Sequence, residues 1–264
     1  MTALTLVATN LAIILGCMLL LWLVSVPLRN ASIVDIFWGP GFAIVAAATL
    51  LLADGYAPRQ WLLTALTAAW GLRLGVYLAV RNLGHGEDPR YAAWRARHEA
   101  AGGSYSLHSL YMVFGLQGLL IIIVSLPVQL AQLATEPARL GPLAWLGAAV
   151  WAVGFLFEAV GDWQLRRFKA DPANRGKVLD SGLWRYTRHP NYFGNACLWW
   201  GLWLVACDAP GMAWTAVGPA LMTFFLLRVS GVTLLEKSLA QTKPQYADYV
   251  RRTSAFFPRP PRDG

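Results

Sequence analysis

SGLWRYTRHPNYFGN, Ser181 to Asn195, packs Arg185, Arg188 and His189 with Trp184, Tyr186 and Tyr192, and a membrane-length apolar run follows it. Proline is well placed at the first position of a helix, where its missing N–H costs nothing. His189-Pro190 therefore reads as the start of a helix that enters a bilayer. The free N–H groups and positive dipole end of that helix lie beside two arginines and a histidine. This is the chemistry of an anion site, and a phosphate is the obvious anion.

The rest of the chain supplies the bilayer reading. Of 264 residues, 56% are hydrophobic and 14% charged, and the mean hydropathy is +0.44. Such a composition points to an integral, multi-pass membrane protein. Thirteen tryptophans and nine tyrosines suit membrane interfaces and also stacking on a cofactor ring. Cys17, Cys197 and Cys207 all fall in apolar runs without a CxxC or a Cys/His zinc spacing, so they read as structural thiols. The first apolar run has no cleavage site after it and reads as a retained helix. Seven runs are long enough, or nearly so, to cross ~30 Å of hydrocarbon at ~1.5 Å per residue. They lie at about 4–28, 33–53, 59–81, 110–134, 141–161, 191–207 and 211–235. The expected fold is one all-α membrane domain, 1–264, with helices 1–134 on the substrate side and 135–264 on the cofactor side.

Lys and Arg placement sets the orientation. One set of loops holds Arg29, then Arg81, Arg90, Arg95 and Arg97, then the run from Arg166 to Arg188, and six more cations in the tail. The other set holds only Arg59 and Arg139. The N-terminus is expected outside and the tail in the cytosol, across the cytoplasmic membrane if the cell is bacterial. The net charge of +8 is then largely topological, and no nucleic-acid partner is expected.

Charges inside a helix bundle cost ~2.5–3.5 kcal/mol each on insertion scales, so they are functional suspects. Here they are Asp35, Arg73, Glu158, Asp162, Arg228 and, at a rim, Glu236. Arg73, Tyr77 and Arg81 share one helix face at i, i+4, i+8. Glu158, Asp162, Arg166 and Lys169 share another, and Arg228, Val232 and Glu236 a third. Asn191 and Asn195 stand at the mouth of the sixth span. All fall in the half expected to face the cytosol, and almost nothing polar falls in the outer half, so a cavity open to the cytosol and floored by apolar helices is expected. Asp35 and Arg73 could equally form one buried structural ion pair. Like charges at Glu158 and Asp162 destabilise a helix unless Arg166, Lys169 or a ligand hydroxyl satisfies them. A nucleotide phosphate on Arg185, Arg188 and His189, with its ribose on the Glu158/Asp162 face, fits the residue types. S-adenosylmethionine would also use carboxylates and aromatics but has less use for arginines. The glycine-flanked segment 82–109 reads as a mobile lid or as a solvated loop with an amphipathic helix at 88–100. An amphipathic helix is expected over 236–252.

The segment LDSGLWRYTRHPNYFGN resembles the C-terminal membrane domain of the steroid 5α-reductase and sterol reductase family. The similarity to its bacterial 5α-reductase-like branch, DUF1295, extends over nearly the whole chain. It is carried by DIFWG from Asp35, EDPRY from Glu87, the segment Trp184 to Asn195, LLEK ending at Lys237, and YADYVRRTSAFFP from Tyr246. Isoprenylcysteine carboxyl methyltransferases, which use S-adenosylmethionine, carry a similar RHPxY stretch. The reductase resemblance implies NADPH, with Trp184, His189, Asn191 and Tyr192 in the cofactor segment. Asp162 and the basic residues after it would contact ribose and phosphate, and Arg228 would be the arginine of the last helix. The implied reaction sends hydride to the β-carbon of a steroid-like or other lipid enone that enters from the bilayer. An acid at the carbonyl assists it: Tyr77, with Arg73 beside it and Asp35 as a second polarising group. The Gln-Glu pair of the animal enzymes is absent, and Glu236 stands where those enzymes have tyrosine.

Overall fold

A computed structural model describes residues 1–229, 236, 242–243 and 245–262, and among these the chain is all helix, turn and loop, with no strand. In order come α1 (Ala3–Leu28), α2 (Ile33–Leu52), α3 (Ala57–Asn82), α4 (Pro89–Ala100), α5 (Tyr105–Val124) and α6 (Leu126–Ala131). α7 (Pro142–Ala170), α8 (Pro190–Cys207), α9 (Ala213–Val229) and α10 (Tyr246–Arg252) follow. Among the described residues five helices, α1, α2, α3, α5 and α7, are long and apolar enough to cross a membrane. The end of the expected seventh span, 230–235 with Val232, and residues 237–241 and 244 of the expected helix 236–252 lie outside the described residues.

The helices group into two compact units, Met1–Gly141 with Ala206–Thr215, and Pro142–Val205 with Ala216–Gly264. In the first unit, α1 turns most of its leucines outward; Leu4 is 81% exposed. A leucine face left bare over a whole helix fits lipid rather than water. α2 and α3 touch backbone to backbone: a Cβ on Gly39 would fall 2.2 Å from the Gly71 carbonyl oxygen, and one on Gly71 2.3 Å from that of Gly39. This antiparallel pair buries Phe42 against Trp70.

The expectation that polar groups gather only at the Asp35 end needs correction. Beyond Gly39 and Gly71, where α2 ends and α3 begins, the first unit holds a second buried polar network. Asn10 donates to Thr49 (2.8 Å) and Gln129 (3.0 Å), and Gln60 donates to the carbonyls of Ala53 (2.7 Å) and Gln132 (3.0 Å). Arg59, fully buried, donates to the carbonyls of Ala134 (3.0 Å) and Pro137 (2.9 Å). The cause is local: helices end or break here, and their orphan carbonyls take side-chain donors.

In the second unit α7 and α8 run antiparallel in glycine-mediated contact. Cβ atoms on Gly147, Gly154, Gly194 and Gly201 would each lie within 2.7 Å of backbone atoms of the facing helix. Gly147 faces Val205, Gly154 faces Leu198 and Gly161 faces Asn191, a single register along both helices. Small residues at such a seam let membrane helices approach closely enough for their polar side chains to bond across it.

Candidate functional site

That register brings the polar groups of α7 and α8 into rungs. Asn191 Nδ2 donates to Asp162 Oδ1 (3.1 Å), and one turn further in Asn195 Nδ2 donates to Glu158 Oε2 (3.3 Å). Glu158, Asp162 and Asn195 are buried, and the Asn195 Oδ1 acceptor has no hydrogen-bond partner. Two carboxylates and two carboxamides therefore present acceptors and donors in alternation, the pattern that ribose hydroxyls or an amide ligand would use. Arg166 and Lys169, next along the same face of α7, are exposed.

The segment before α8 is pinned between α7 and the tail. Trp184 is buried and its Nε1 donates to the Gly161 carbonyl (3.1 Å), while the Leu183 amide donates to Gln164 (3.0 Å). From the other side come the Tyr249 hydroxyl to the Trp184 carbonyl, the Thr187 hydroxyl to the Phe256 carbonyl (2.8 Å), the Arg188 amide to the Ser254 carbonyl (2.9 Å), and the Arg259 amide to the Tyr186 carbonyl (3.0 Å). Phe256 packs with Ala196, Phe193 and Leu226. The tail is a strap across 184–189.

Arg188 is at the centre of this strap. Its Nε donates to Glu236 Oε1 (2.8 Å) and its Nη1 to the carbonyls of Thr253 (2.7 Å) and Val250 (3.2 Å). His189 Nε2 meets the same Glu236 oxygen at 3.1 Å, and its ring stacks on Tyr192, 5.5 Å apart and 7° from parallel. Burial raises the Glu236 carboxyl, but the hydrogen bonds from His189 and Arg188 outweigh it and hold the group at about 2. Glu236 is therefore ionised and His189 Nε2 is the donor.

The expected residues thus separate into classes. Glu158, Asp162, Asn191 and Asn195 form the ladder, and Trp184, Arg188, His189, Tyr192 and Glu236 form the pinned knot. Arg185, Tyr186 and Arg228 are exposed. The first-turn amides of α8 are less open to an anion than expected: Tyr192 N–H is taken by Asn191 Oδ1 (3.1 Å) and Phe193 N–H by the His189 carbonyl (2.9 Å). The glycine seam and Thr187 were missed, while Tyr246 and Tyr249, expected on one face of the tail helix, are buried in the strap. The seam left a signal in the sequence, glycine every seventh residue at 147, 154 and 161 and again at 194 and 201.

The first unit has its own polar site at the DIFWG and EDPRY motifs. Asp35 accepts from the Tyr91 hydroxyl (2.7 Å) and from Arg90 (3.2 Å), and Gln117 donates to the Tyr91 oxygen (3.1 Å). Burial, then the neighbouring Asp35 charge, push the Tyr91 phenol far above its usual value, so it keeps its proton. Asp88 behaves oppositely: burial would raise it, but the Arg90 hydrogen bonds hold it below the usual carboxylate range. Glu87 accepts from the Ala31 amide (2.7 Å) and pairs twice with Arg95 (2.9 Å), whose guanidinium lies 4.3 Å from the Tyr105 ring centre. Of the two expectations for 82–109, a mobile lid or a loop with an amphipathic helix at 88–100, the helix is present as α4, and the loop before it is tied down through Glu87. On α3 the guanidinium carbons of Arg73 and Arg81 lie 5.7 and 5.9 Å from the Tyr77 ring, as their shared face requires.

Among the described residues no group of three or more His, Cys, Asp or Glu could hold a metal ion. The chain is 27% identical over 278 aligned positions to the uncharacterized protein C594.04c of Schizosaccharomyces pombe, covering 94% of this chain and 78% of that one. No solved structure matches it. A family described as a protein of unknown function, DUF1295, matches residues 21–253, and the chain belongs to that family.

Proposed function

We propose that this protein is a membrane reductase that uses NADPH to saturate the carbon–carbon double bond of a steroid-like or other lipid enone. The observation that carries the reading is the buried ladder of Asp162–Asn191 and Glu158–Asn195, with the unpartnered Asn195 oxygen in it and exposed Arg166 and Lys169 beside it. Asp162 accepts from a ribose hydroxyl, Asn195 Oδ1 accepts an amide N–H, and Arg166 and Lys169 meet phosphate. Bound there, the dihydronicotinamide supplies the hydride for the β-carbon of the enone. The α-carbon then takes a proton, and an acid at the carbonyl stabilises the enolate between these steps. Tyr77, whose ring lies beside the Arg73 and Arg81 guanidiniums, takes that acid role, with Asp35 as a second polarising group.

The same reading has seven crossings, an outside N-terminus, a cytosolic tail and an acceptor that arrives through the bilayer. The one-sided distribution of Lys and Arg supports the orientation. A second reading, an S-adenosylmethionine-dependent methyltransferase of an isoprenoid or lipid, gains from the His189–Glu236 pair, since Glu236 stands where the animal reductases have tyrosine.

Thermal unfolding of the detergent-purified protein with NADPH, NADH or S-adenosylmethionine tests the choice. NADPH at 100 times its dissociation constant should stabilise by about 2.7 kcal/mol, and Asp162→Asn should lose most of that shift. Stabilisation by S-adenosylmethionine alone would sink the reductase reading.

A further inference from the structure

We propose that the Glu236 carboxylate is a resident stand-in for phosphate: it occupies an anion subsite made by Arg188, His189 and Tyr246, and an incoming ligand phosphate exchanges with it. The inference rests on the NADPH reading above and adds to Arg166 and Lys169 a second phosphate contact at Arg188 and His189.

The first ground is an asymmetry of burial. The Arg188 and His189 side chains are 8% and 4% exposed, and that of Glu236 is 24% exposed. The two donors belong to the wall, and the carboxylate is the member that solvent and a ligand can reach. The second ground is that the wall does not depend on Glu236. Arg188 stays fixed through the carbonyls of Thr253 and Val250 and through its own amide on Ser254. His189 stays fixed by its stack on Tyr192 and by its amide on the Thr187 hydroxyl (3.3 Å). Removing the carboxylate leaves two preorganised donors aimed at one point, the condition under which a replacement anion binds without reordering cost.

The third ground is a further polar group at the same point. The Tyr246 hydroxyl is buried and lies beside both Arg188 and Glu236. Arg188 and His189 converge on the single atom Glu236 Oε1. A phosphate offers three oxygens and a larger charge, so it can take Arg188, His189 and the Tyr246 hydroxyl together. The carboxylate satisfies Arg188 in the absence of ligand, as a buried arginine requires. It also competes with every anion that enters, and so lowers apparent affinity by the fraction of time it is in place.

Inorganic pyrophosphate is the probe, used on the full-length protein in detergent at neutral pH. Without anion, Glu236→Gln should melt below the wild type, because Arg188 has lost its counter-charge and His189 its charged acceptor. Pyrophosphate should raise its melting temperature more than it raises that of the wild type and bind it about tenfold more tightly or better. Glu236→Asp, which keeps the charge and shortens its reach, should fall between the two and serves if the glutamine variant does not fold. Adding Tyr246→Phe to Glu236→Gln should return part of the gain. Equal or weaker pyrophosphate binding in both Glu236 variants overturns the proposal and makes Glu236 a structural tie. No pyrophosphate binding in any of the proteins overturns it too, while the nucleotide assay above still decides the NADPH reading by itself.

Discussion

Burial alone would favour a protonated Glu236; His189 and Arg188 reverse that and hold the carboxyl near 2, against an ordinary value of 4.5. A carboxyl depressed on folding contributes stability that is complete above its unfolded value and is lost as pH falls through the folded one. The window for Glu236 therefore runs from about 4.5 down to about 2. Chemical denaturation at steps through that range should show the wild type losing stability more steeply than Glu236→Gln. Parallel curves would mean that the carboxylate gains nothing from its partners. The Arg188 contacts explain why this residue was only half legible in the sequence. RHPNY announces cations before a helix, but nothing in that local string shows that the guanidinium grips carbonyls more than sixty residues later. The partner of Asp35 was not legible for the same reason: Tyr91 lies 56 positions on.

Among the elements, the α7–α8 seam decides whether the site exists. Each rung pairs an α7 carboxylate with an α8 carboxamide, and both rungs require the backbones to stay in contact. A Cβ on Gly194 would lie 2.4 Å from the Glu158 amide nitrogen and 2.5 Å from the Gly154 carbonyl oxygen, atoms that cannot rotate away. Gly194→Ala should cost about 1–3 kcal/mol in overpacking and weaken cofactor binding at the same time, because it separates the rungs. Gly16, on α1, has nothing within 4 Å of an added Cβ. Gly16→Ala should be neutral, or stabilising by up to about 1 kcal/mol, and should leave binding unchanged. Equal melting temperatures and ligand shifts for the two variants would remove the seam from the argument. The helices were legible because apolar runs of this length have few other uses, and α4 was legible from its amphipathic pattern. Their pairing was partly legible through the seven-residue spacing of glycine. The tail strap was not, because main-chain bonds between 186–188 and 254–259 leave no side-chain pattern to read.

For the molecule as a whole, α8 decides how many times the chain crosses the bilayer. Its mean hydropathy suffers from the polar first turns, where Asn191 and Asn195 serve the ladder, so composition alone does not single it out as a span. Its eighteen residues nevertheless reach about 27 Å at the helical rise. The glycine register carries it back alongside α7 from Gly161 to Gly147. In the first unit, the Gly141 amide donates to Asp208 at 2.9 Å, which holds the end of α8 beside the residue that precedes α7. If α7 crosses, α8 must return to the side on which α7 began. Single cysteines at Ala173, Arg139 and Ala213, all exposed, in a chain with Cys17, Cys197 and Cys207 replaced, test this in sealed vesicles with an impermeant maleimide. Positions 139 and 213 should label from one side and 173 from the other, the cytosolic side that carries the excess of Lys and Arg. Labelling of 173 and 213 from the same side would make α8 re-entrant. The ladder would then stand at the tip of a hairpin instead of along a crossing pair, and the case for a cofactor cavity between two spanning helices would fall with it.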